Sequence, residues 1–256
     1  MPEEIKTAIK AVKEAGKILV DGFNIIHTVE MKTKHDLLTE MDLRSEKRII
    51  SILRENFPDY SIYSEEMGKG VKDSEYMWVV DPLDGTTNYS IKNPFFDVSI
   101  ALLRMGNPVL GVVYAPFTGE MFQAESGKGA YLNGKKIHVS NESDVSKLLI
   151  AYCHNNDKRN MKRIIEVFGR IKPLPIDFNR MRAGALELAF VAAGRLGCYL
   201  SCGFHSYDVA AGVLLVREAG GRVTDFKGDE WHPGSGDILA TNSIIHEKLL
   251  KLLKGV

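Results

Sequence analysis

WVVDPLDGTTNYS, residues 78–90, is the stretch whose reading decides the fold and the chemistry. Its apolar, β-branched start predicts a buried strand, continuous with Tyr76 and Met77. That strand delivers two carboxylates, Asp81 and Asp84, around a proline. Pro82 fixes the backbone and Gly85 frees it, so a sharp turn is expected where the strand ends. Such a turn aims both carboxylates and the Leu83 carbonyl toward one point. An all-oxygen donor set suits Mg²⁺, a hard ion that keeps several of its waters. The amides of Gly85 and Thr86, if they open a helix, face an anion such as phosphate. An ordinary Asp-Pro and Asp-Gly turn accounts for the same residues.

Upstream, Ile5, Ile9, Val12, Ala15, Leu19 and Phe23 recur at helical spacing. A second helix is expected from Thr39, with Leu43, Glu46, Ile50 and Leu53 along one side and Phe57-Pro58 closing it. Downstream, residues 95–103, 109–114, GEMFQAE and GAYLNGKKI are rich in β-branched and aromatic residues. Turns are expected at Asn107-Pro108, Thr118-Gly119 and Asn133-Gly134, so the middle of the chain predicts a largely antiparallel sheet. After about residue 145 the pattern alternates. Strands are expected at 148–153 and 198–201, and helices at 160–171, 185–194 and 207–219. GRVTDF and DILATN predict short strands, and 246–253 a last helix. This order implies an α+β lobe over 1–145 carrying most of the acidic residues, and an α/β lobe over 146–256. With no linker-like tract between them, the lobes are expected to share an extensive interface.

Composition narrows the function. The 256 residues are 45% hydrophobic and 26% charged, which excludes wholesale disorder. Lys+Arg and Asp+Glu are 33 each, so no net charge marks a nucleic-acid binder. The longest apolar run, 209–216, falls far short of the roughly 20 residues that cross a bilayer. The charged start MPEEIKTAIK has no signal-peptide core, and a cytoplasmic location is expected. Cys153, Cys198 and Cys202 are too few for a disulfide framework, and Cys198 and Cys202 are expected to fill apolar space. No dinucleotide or P-loop glycine motif is present.

Three further acidic segments accompany Asp81 and Asp84. Glu65 and Glu66 follow the short apolar YSIY and precede a Gly/Lys-rich loop. Asp208 sits at a helix start in HSYDVAAG, where complementarity to the helix dipole is an alternative role. Asp42 stands three residues after Thr39, where a capping-box acid belongs.

In these segments the chain resembles the lithium-sensitive, Mg²⁺-dependent phosphatases that include inositol monophosphatase. WVVDPLDGTTNYS is similar to the family's D-P-x-D-G-T/S segment, and YSEE to its G-E-E loop with Ser64 for glycine. HSYDVAAGVLLVREAGG (205–221) is similar to its W-D-x-A-A-G segment with Tyr207 for tryptophan. LLTEMD and ALELAFVAAGRL extend the match over almost the whole chain. The resemblance implies a layered α-β-α-β-α sandwich, mixing α+β and α/β parts, and a phosphomonoesterase binding two or three Mg²⁺ ions. It implies that Glu65, Asp81 and the Leu83 carbonyl hold one Mg²⁺, and that Asp81, Asp84 and Asp208 hold a second. A weaker third ion would lean on Glu65. Asp42 and Thr86, with Glu65, are implied to position and deprotonate the attacking water. The Gly85 and Thr86 amides would hold the phosphate beside Asp84. In-line attack by a metal-activated water, without a phosphoenzyme, fits this donor set.

For substrate contacts, Ser201 stands where animal inositol monophosphatases carry a glutamate, so strict inositol selectivity is not expected. Arg182 stands where relatives often have glycine, close to Arg180. A second phosphate, a solvated surface charge or a dimer contact all account for it. The pattern is closest to the broad-specificity members that hydrolyse both inositol 1-phosphate and fructose 1,6-bisphosphate. Alternatives are a nucleotide-directed phosphatase acting on 3′-phosphoadenosine 5′-phosphate or NADP, an RNA-polymerase or RNA-associated regulator, and a metal-stabilised structural protein. A homodimer is expected because relatives commonly dimerise, with no membrane and no direct nucleic-acid partner. His205 either reaches substrate or ends a loop. His27, His35, His138, His154, His232 and His246 show no ligand spacing. Tyr89, Phe95 and Phe96 are expected to pack beneath the acidic loop.

Overall fold

The computed structural model describes residues 2–25, 29–33, 36–70, 72 and 74–256, the side chains of 29–33 and 36–38 excepted. His27 and His35 lie outside the described residues. Helix α1 (Glu3–Gly22) buries Ile5, Ala8, Val12, Ala15 and Leu19 and carries Glu3 and Glu4 in its first turn. A hairpin of β1 (Val29–Thr33) and β2 (Asp36–Thr39) leads into α2 (Glu40–Asn56). Thr39 caps α2, its hydroxyl accepting from the Met41 amide at 3.2 Å. Next come β3 (Ser61–Ser64), β4 (Gly68–Lys69), β5 (Tyr76–Asp84) and the short helix α3 (Thr86–Ser90). The meander β6 (Asp97–Arg104), β7 (Asn107–Ala115), β8 (Glu120–Glu125), β9 (Ala130–Leu132) and β10 (Lys135–Ile137) follows.

The alternating half contains β11 (Leu149–His154), α4 (Lys158–Ile171), β12 (Asp177–Asn179) and α5 (Gly184–Ala192). It ends with β13 (Cys198–Cys202), α6 (Ser206–Glu218), β14 (Arg222–Thr224), β15 (Asp237–Thr241) and α7 (His246–Leu252).

Eight strands form one sheet in the order β10-β9-β8-β7-β6-β5-β3-β4, antiparallel except for the β3–β5 pair. Five form a second, β12-β11-β13-β15-β14, with β12, β11 and β13 parallel. Helices α1 and α2 cover the outer face of the large sheet, α5 and α6 fill the space between the sheets, and α4 and α7 cover the small sheet. This is the expected five-layer α-β-α-β-α arrangement. Each helix layer owns a core. Trp78, Val80, Ile100 and Val112 meet α1 and α2; Leu188, Val209 and Val213 meet Val79, Ala101 and Val113; Ile150 and Leu200 meet Val167 and Leu249. The helices of the central layer approach closely. A Cβ on Gly212 would lie 2.4 Å from Leu188 Cβ, so glycine is required there.

One expectation is corrected, at the hairpin before β7. Strand β5 runs through Pro82 to Asp84, and its register on β6 shifts between Asp81 and Asp84. Proline sits in that irregularity, where the missing N–H costs no ladder bond. The sharp turn comes at Gly85, at φ 96°, where a Cβ would lie 3.1 Å from the Phe95 carbonyl. The hairpin expected at Asn107-Pro108 turns one step earlier, through Met105 and Gly106 at φ 47° and 81°. Cys198 and Cys202 are buried as expected. Phe96 and Tyr89 pack edge-on at 5.0 Å, directly after the acidic turn.

Candidate active site

A cleft of ≈ 550 Å³ lies where the ends of β3 and β5 face the carboxyl ends of β11 and β13. Its walls carry Glu65, Asp84 and Asp208 with Thr87 and Tyr207, then Ser201, Arg180 and Arg182. The carboxyl ends of parallel strands commonly build such sites, because the loops leaving them are free to vary.

The acidic part converges from four elements. Glu65 follows β3, and its amide donates to the Val80 carbonyl of β5 at 3.2 Å. Asp81 is buried, and its Oδ1 accepts from the Leu83 amide at 3.1 Å. Burial, followed by the charges of Glu65, Asp84 and Asp208, holds its carboxyl well above the usual carboxylate range. Asp84 Oδ2 accepts from the Ala185 amide at 2.7 Å, at the start of α5. Burial pushes its pKa up to about 6, while the Ala185 amide and its neighbours pull it down. Asp208 turns back to its own helix start, accepting from the His205 amide at 2.7 Å. Among the described residues, no three His, Cys, Asp or Glu side chains are yet gathered closely enough to hold an ion.

Asp42 serves two partners at once. Its Oδ2 accepts from the Thr39 amide at 2.8 Å, completing the capping box, and its Oδ1 accepts from the Thr86 hydroxyl at 3.0 Å. Cap and site partner are therefore not competing roles; each uses its own oxygen. Thr86 Oγ1 also lies 3.1 Å from the Leu83 carbonyl oxygen. Asp42, Asp81 and Leu83 are buried beneath the cleft, and neither they nor Gly85 and Thr86 line its wall.

Sequence reasoning passed over three acidic residues here. Glu46 on α2 accepts from the Ser64 hydroxyl and from the Glu66 and Met67 amides, both at 3.0 Å. It brackets Glu65, and Ser64 at the family's glycine position supplies one of the bonds. Asp97 is fully buried opposite Asp84 in the β5–β6 register. Burial and then Asp84 hold its carboxyl well above the usual range, while the Leu186 amide pulls it down. Glu187 is buried on α5 and accepts from the Met181 and Ala183 amides at 3.2 and 3.3 Å. Cys153 lines the cleft, and burial pushes its thiol up to about 12, which leaves it inert as a nucleophile. The signal for Glu46 was its place on the buried side of α2; Asp97 and Glu187 stood as charges inside apolar runs.

On the far wall, Ser201 is buried on β13, and His205 stacks on Tyr207 at 5.0 Å. The Arg180 Nη2 donates to the His154 carbonyl at 2.9 Å. His138, His232 and His246 do not line the cleft.

Comparison with known proteins agrees with this fold. The sequence profile of the inositol monophosphatase family matches residues 1–256. The Nus factor SuhB of Pasteurella multocida is 37% identical over 98% of this chain and 95% of its own length. The crystal structure of the suhB protein from Bartonella henselae superposes with a TM-score of 0.95, at 34% identity, covering 100% of both chains. An inositol monophosphatase from Anabaena superposes with a TM-score of 0.88, at 38% identity over 98% of this chain and 95% of that one. The chain belongs to the inositol monophosphatase family and is a hydrolase of that type.

Proposed function

We propose that this protein is a Mg²⁺-dependent phosphomonoesterase for small sugar or polyol phosphates, inositol 1-phosphate and fructose 1,6-bisphosphate among them. Family membership implies the metal-dependent phosphomonoesterase chemistry; the substrate class is inferred from the residues of the cleft. One observation carries the reading: Glu65, Asp84 and Asp208 line the same cleft, with Asp81 buried on the strand that carries Asp84. Carboxylates crowded in this way, with only oxygen donors around them, fit hard cations. Glu65, Asp81, the Leu83 carbonyl, Asp84 and Asp208 are the residues that would hold Mg²⁺. Bound there, Mg²⁺ supplies polarisation of the phosphoryl group, a lowered pKa for water and charge neutralisation at the leaving oxygen.

The chain's own groups do the rest. Asp42, fixed by its Thr39 bonds, keeps its Oδ1 on the Thr86 hydroxyl, and this pair accepts the proton of the attacking water alongside Glu65. The Gly85 and Thr86 amides orient the phosphate, and Ser201, Arg180 and Arg182 contact the alcohol side of the ester.

A second reading has one observation in its favour: relatives at this similarity, the Pasteurella protein among them, carry the name Nus factor. A phosphate-release panel separates the two. Inositol 1-phosphate, fructose 1,6-bisphosphate, NADP⁺ and 3′-phosphoadenosine 5′-phosphate are offered with Mg²⁺ and again after exhaustive chelation. Release from the first two, abolished by chelation, is expected; no release from any substrate would leave the Nus-type reading.

A further inference from the structure

Past the end of the β3–β5 ladder, the two turns that carry Glu65 and Asp81–Asp84 separate. Ser64 is the last β3 residue paired with β5, and the Glu65 amide adds one bond to the Val80 carbonyl. From there the 64–67 turn folds back into β4, while residues 81–84 run on along β6 through the register shift at Pro82. The ladder therefore does not set the gap that an ion held by Glu65, Asp81 and the Leu83 carbonyl would have to fit.

Helix α2 spans that gap. Asp42, Ser45 and Glu46 lie on one face at i, i+3 and i+4, and all three are buried. Each reaches a different segment. Asp42 accepts from the Thr86 hydroxyl at 3.0 Å, and the Ser45 hydroxyl donates to the Pro82 carbonyl at 2.7 Å. Glu46 Oε1 accepts the Ser64 hydroxyl, and the Glu66 and Met67 amides at 3.0 Å. The Ser45 bond reaches further than Pro82. The same rigid peptide plane carries the Leu83 N–H, which donates to Asp81 Oδ1 at 3.1 Å. One plane is thus pinned by Ser45 on its carbonyl and holds the Asp81 carboxyl through its amide. Behind these contacts the helix is fixed: Ile49, Ile52 and Leu53 are buried, and Arg48 Nε donates to Glu14 of α1 at 2.6 Å.

We propose that Ser45 and Glu46 are positioning residues that make α2 a spacer between the 64–67 turn and the Pro82–Leu83 peptide, and that this spacer sets the site's preference for a small cation over a larger one. The inference rests on the metal-dependent reading above and adds what selects the ion. Mg²⁺ demands octahedral oxygens at about 2.0–2.1 Å, whereas Ca²⁺ accepts looser sets at about 2.3–2.6 Å. A gap held from one rigid helix favours the first, and a gap free to widen admits the second.

The test strips wild type, S45A, S64G, E46A and E46Q of metal and titrates Mg²⁺ and Ca²⁺ into each by calorimetry, with a thermal melt beside each. S45A frees the Pro82–Leu83 peptide, S64G removes one of three donors from Glu46, and E46A releases the whole turn. Expected is a wild-type preference for Mg²⁺ whose ratio of Kd values falls about 3- to 10-fold in S45A and E46A, and less in S64G. E46Q, which keeps an oxygen for the same three donors, should retain the wild-type ratio. A role in stability alone would lower the melting temperature and weaken both ions equally. A wild type without preference, or a ratio unchanged in the variants that fold, overturns the spacer and leaves the metal-dependent reading intact. Wild type that binds neither ion defeats that reading, and the spacer with it.

Discussion

The two parts of the cleft solve the same problem, like charges held close together, by different means. In the acidic part, Asp42, Asp84 and Asp208 each rest on a backbone amide at the start of a helix, and Asp81 sits on the Leu83 amide at a strand end. In the basic part, Arg180 and Arg182 sit on a loop held from outside by Asn88 and Glu187. The first arrangement is fixed by secondary-structure termini and tolerates little change. The second is fixed by tertiary anchors, so the residue at position 182 can vary without rebuilding any element. Under the proposed function, that division of labour would give a fixed reaction centre and an adjustable leaving-group pocket.

The comparison breaks most visibly at Asp42. The amide introduced by D42N keeps an oxygen for the Thr39 cap but cannot accept a proton through Thr86. D42N is therefore expected to lose about 10²–10⁴-fold in kcat with a near-unchanged thermal melt. A loss below tenfold returns Asp42 to capping alone. A smaller effect is expected at Glu46, which acts on the acidic part only through the 64–67 turn. E46A leaves the Ser64 hydroxyl and two amides without their acceptor, at a cost of about 1–3 kcal/mol. Mg²⁺ affinity measured by calorimetry should weaken roughly tenfold, since about 1.4 kcal/mol is a tenfold change, while the effect of R182G on KM stays put. An effect of equal size on both would merge the two parts into one.

The smallest effect is on stability. Asp84 titrates at about 6 in the fold against 3.8 in its ordinary state. Between those values the folded chain binds more protons, so metal-free stability falls as pH rises through the window and is regained on acidification. Asp81, Asp97 and Glu187 are displaced in the same direction. The melting temperature of the chelated protein should therefore be higher at pH 5 than at pH 7, by about 2–4 °C for each kcal/mol. Added Mg²⁺ should flatten the slope, and R182G should leave it unchanged. A melting temperature that rises with pH would contradict the burial of these acids.

Much of the acidic part was legible because its residues cluster in short segments where a strand or helix signal stops. Asp81, Asp84, Glu65, Asp208 and Asp42 all stand at such boundaries; the helix, strand and alternating textures gave the α+β and α/β halves, and the layer order came from the family resemblance. What escaped reading depends on distant partners. Asp97 lies in an apolar run, and only the β5–β6 register sets it against Asp84. Glu187 lies in a helix that reads as plain core, and its role appears when α5 meets the loop before it. Strands β4 and β12 have two and three residues, too short for any alternation to register. The register shift that lets the strand run through Pro82 depends on its pairing with β6, which the sequence does not display.

The central claim is that the carboxylates around Asp81 hold the Mg²⁺ that catalysis requires, and Asp84 tests it most directly. Wild type and D84N are titrated with Mg²⁺ by calorimetry, and phosphate release from inositol 1-phosphate is followed in the same samples. The account predicts that D84N folds, binds Mg²⁺ more weakly and loses turnover by orders of magnitude, about 10²-fold or more. Equal Mg²⁺ binding and equal turnover in D84N would contradict it, returning Asp81 and Asp84 to an ordinary turn.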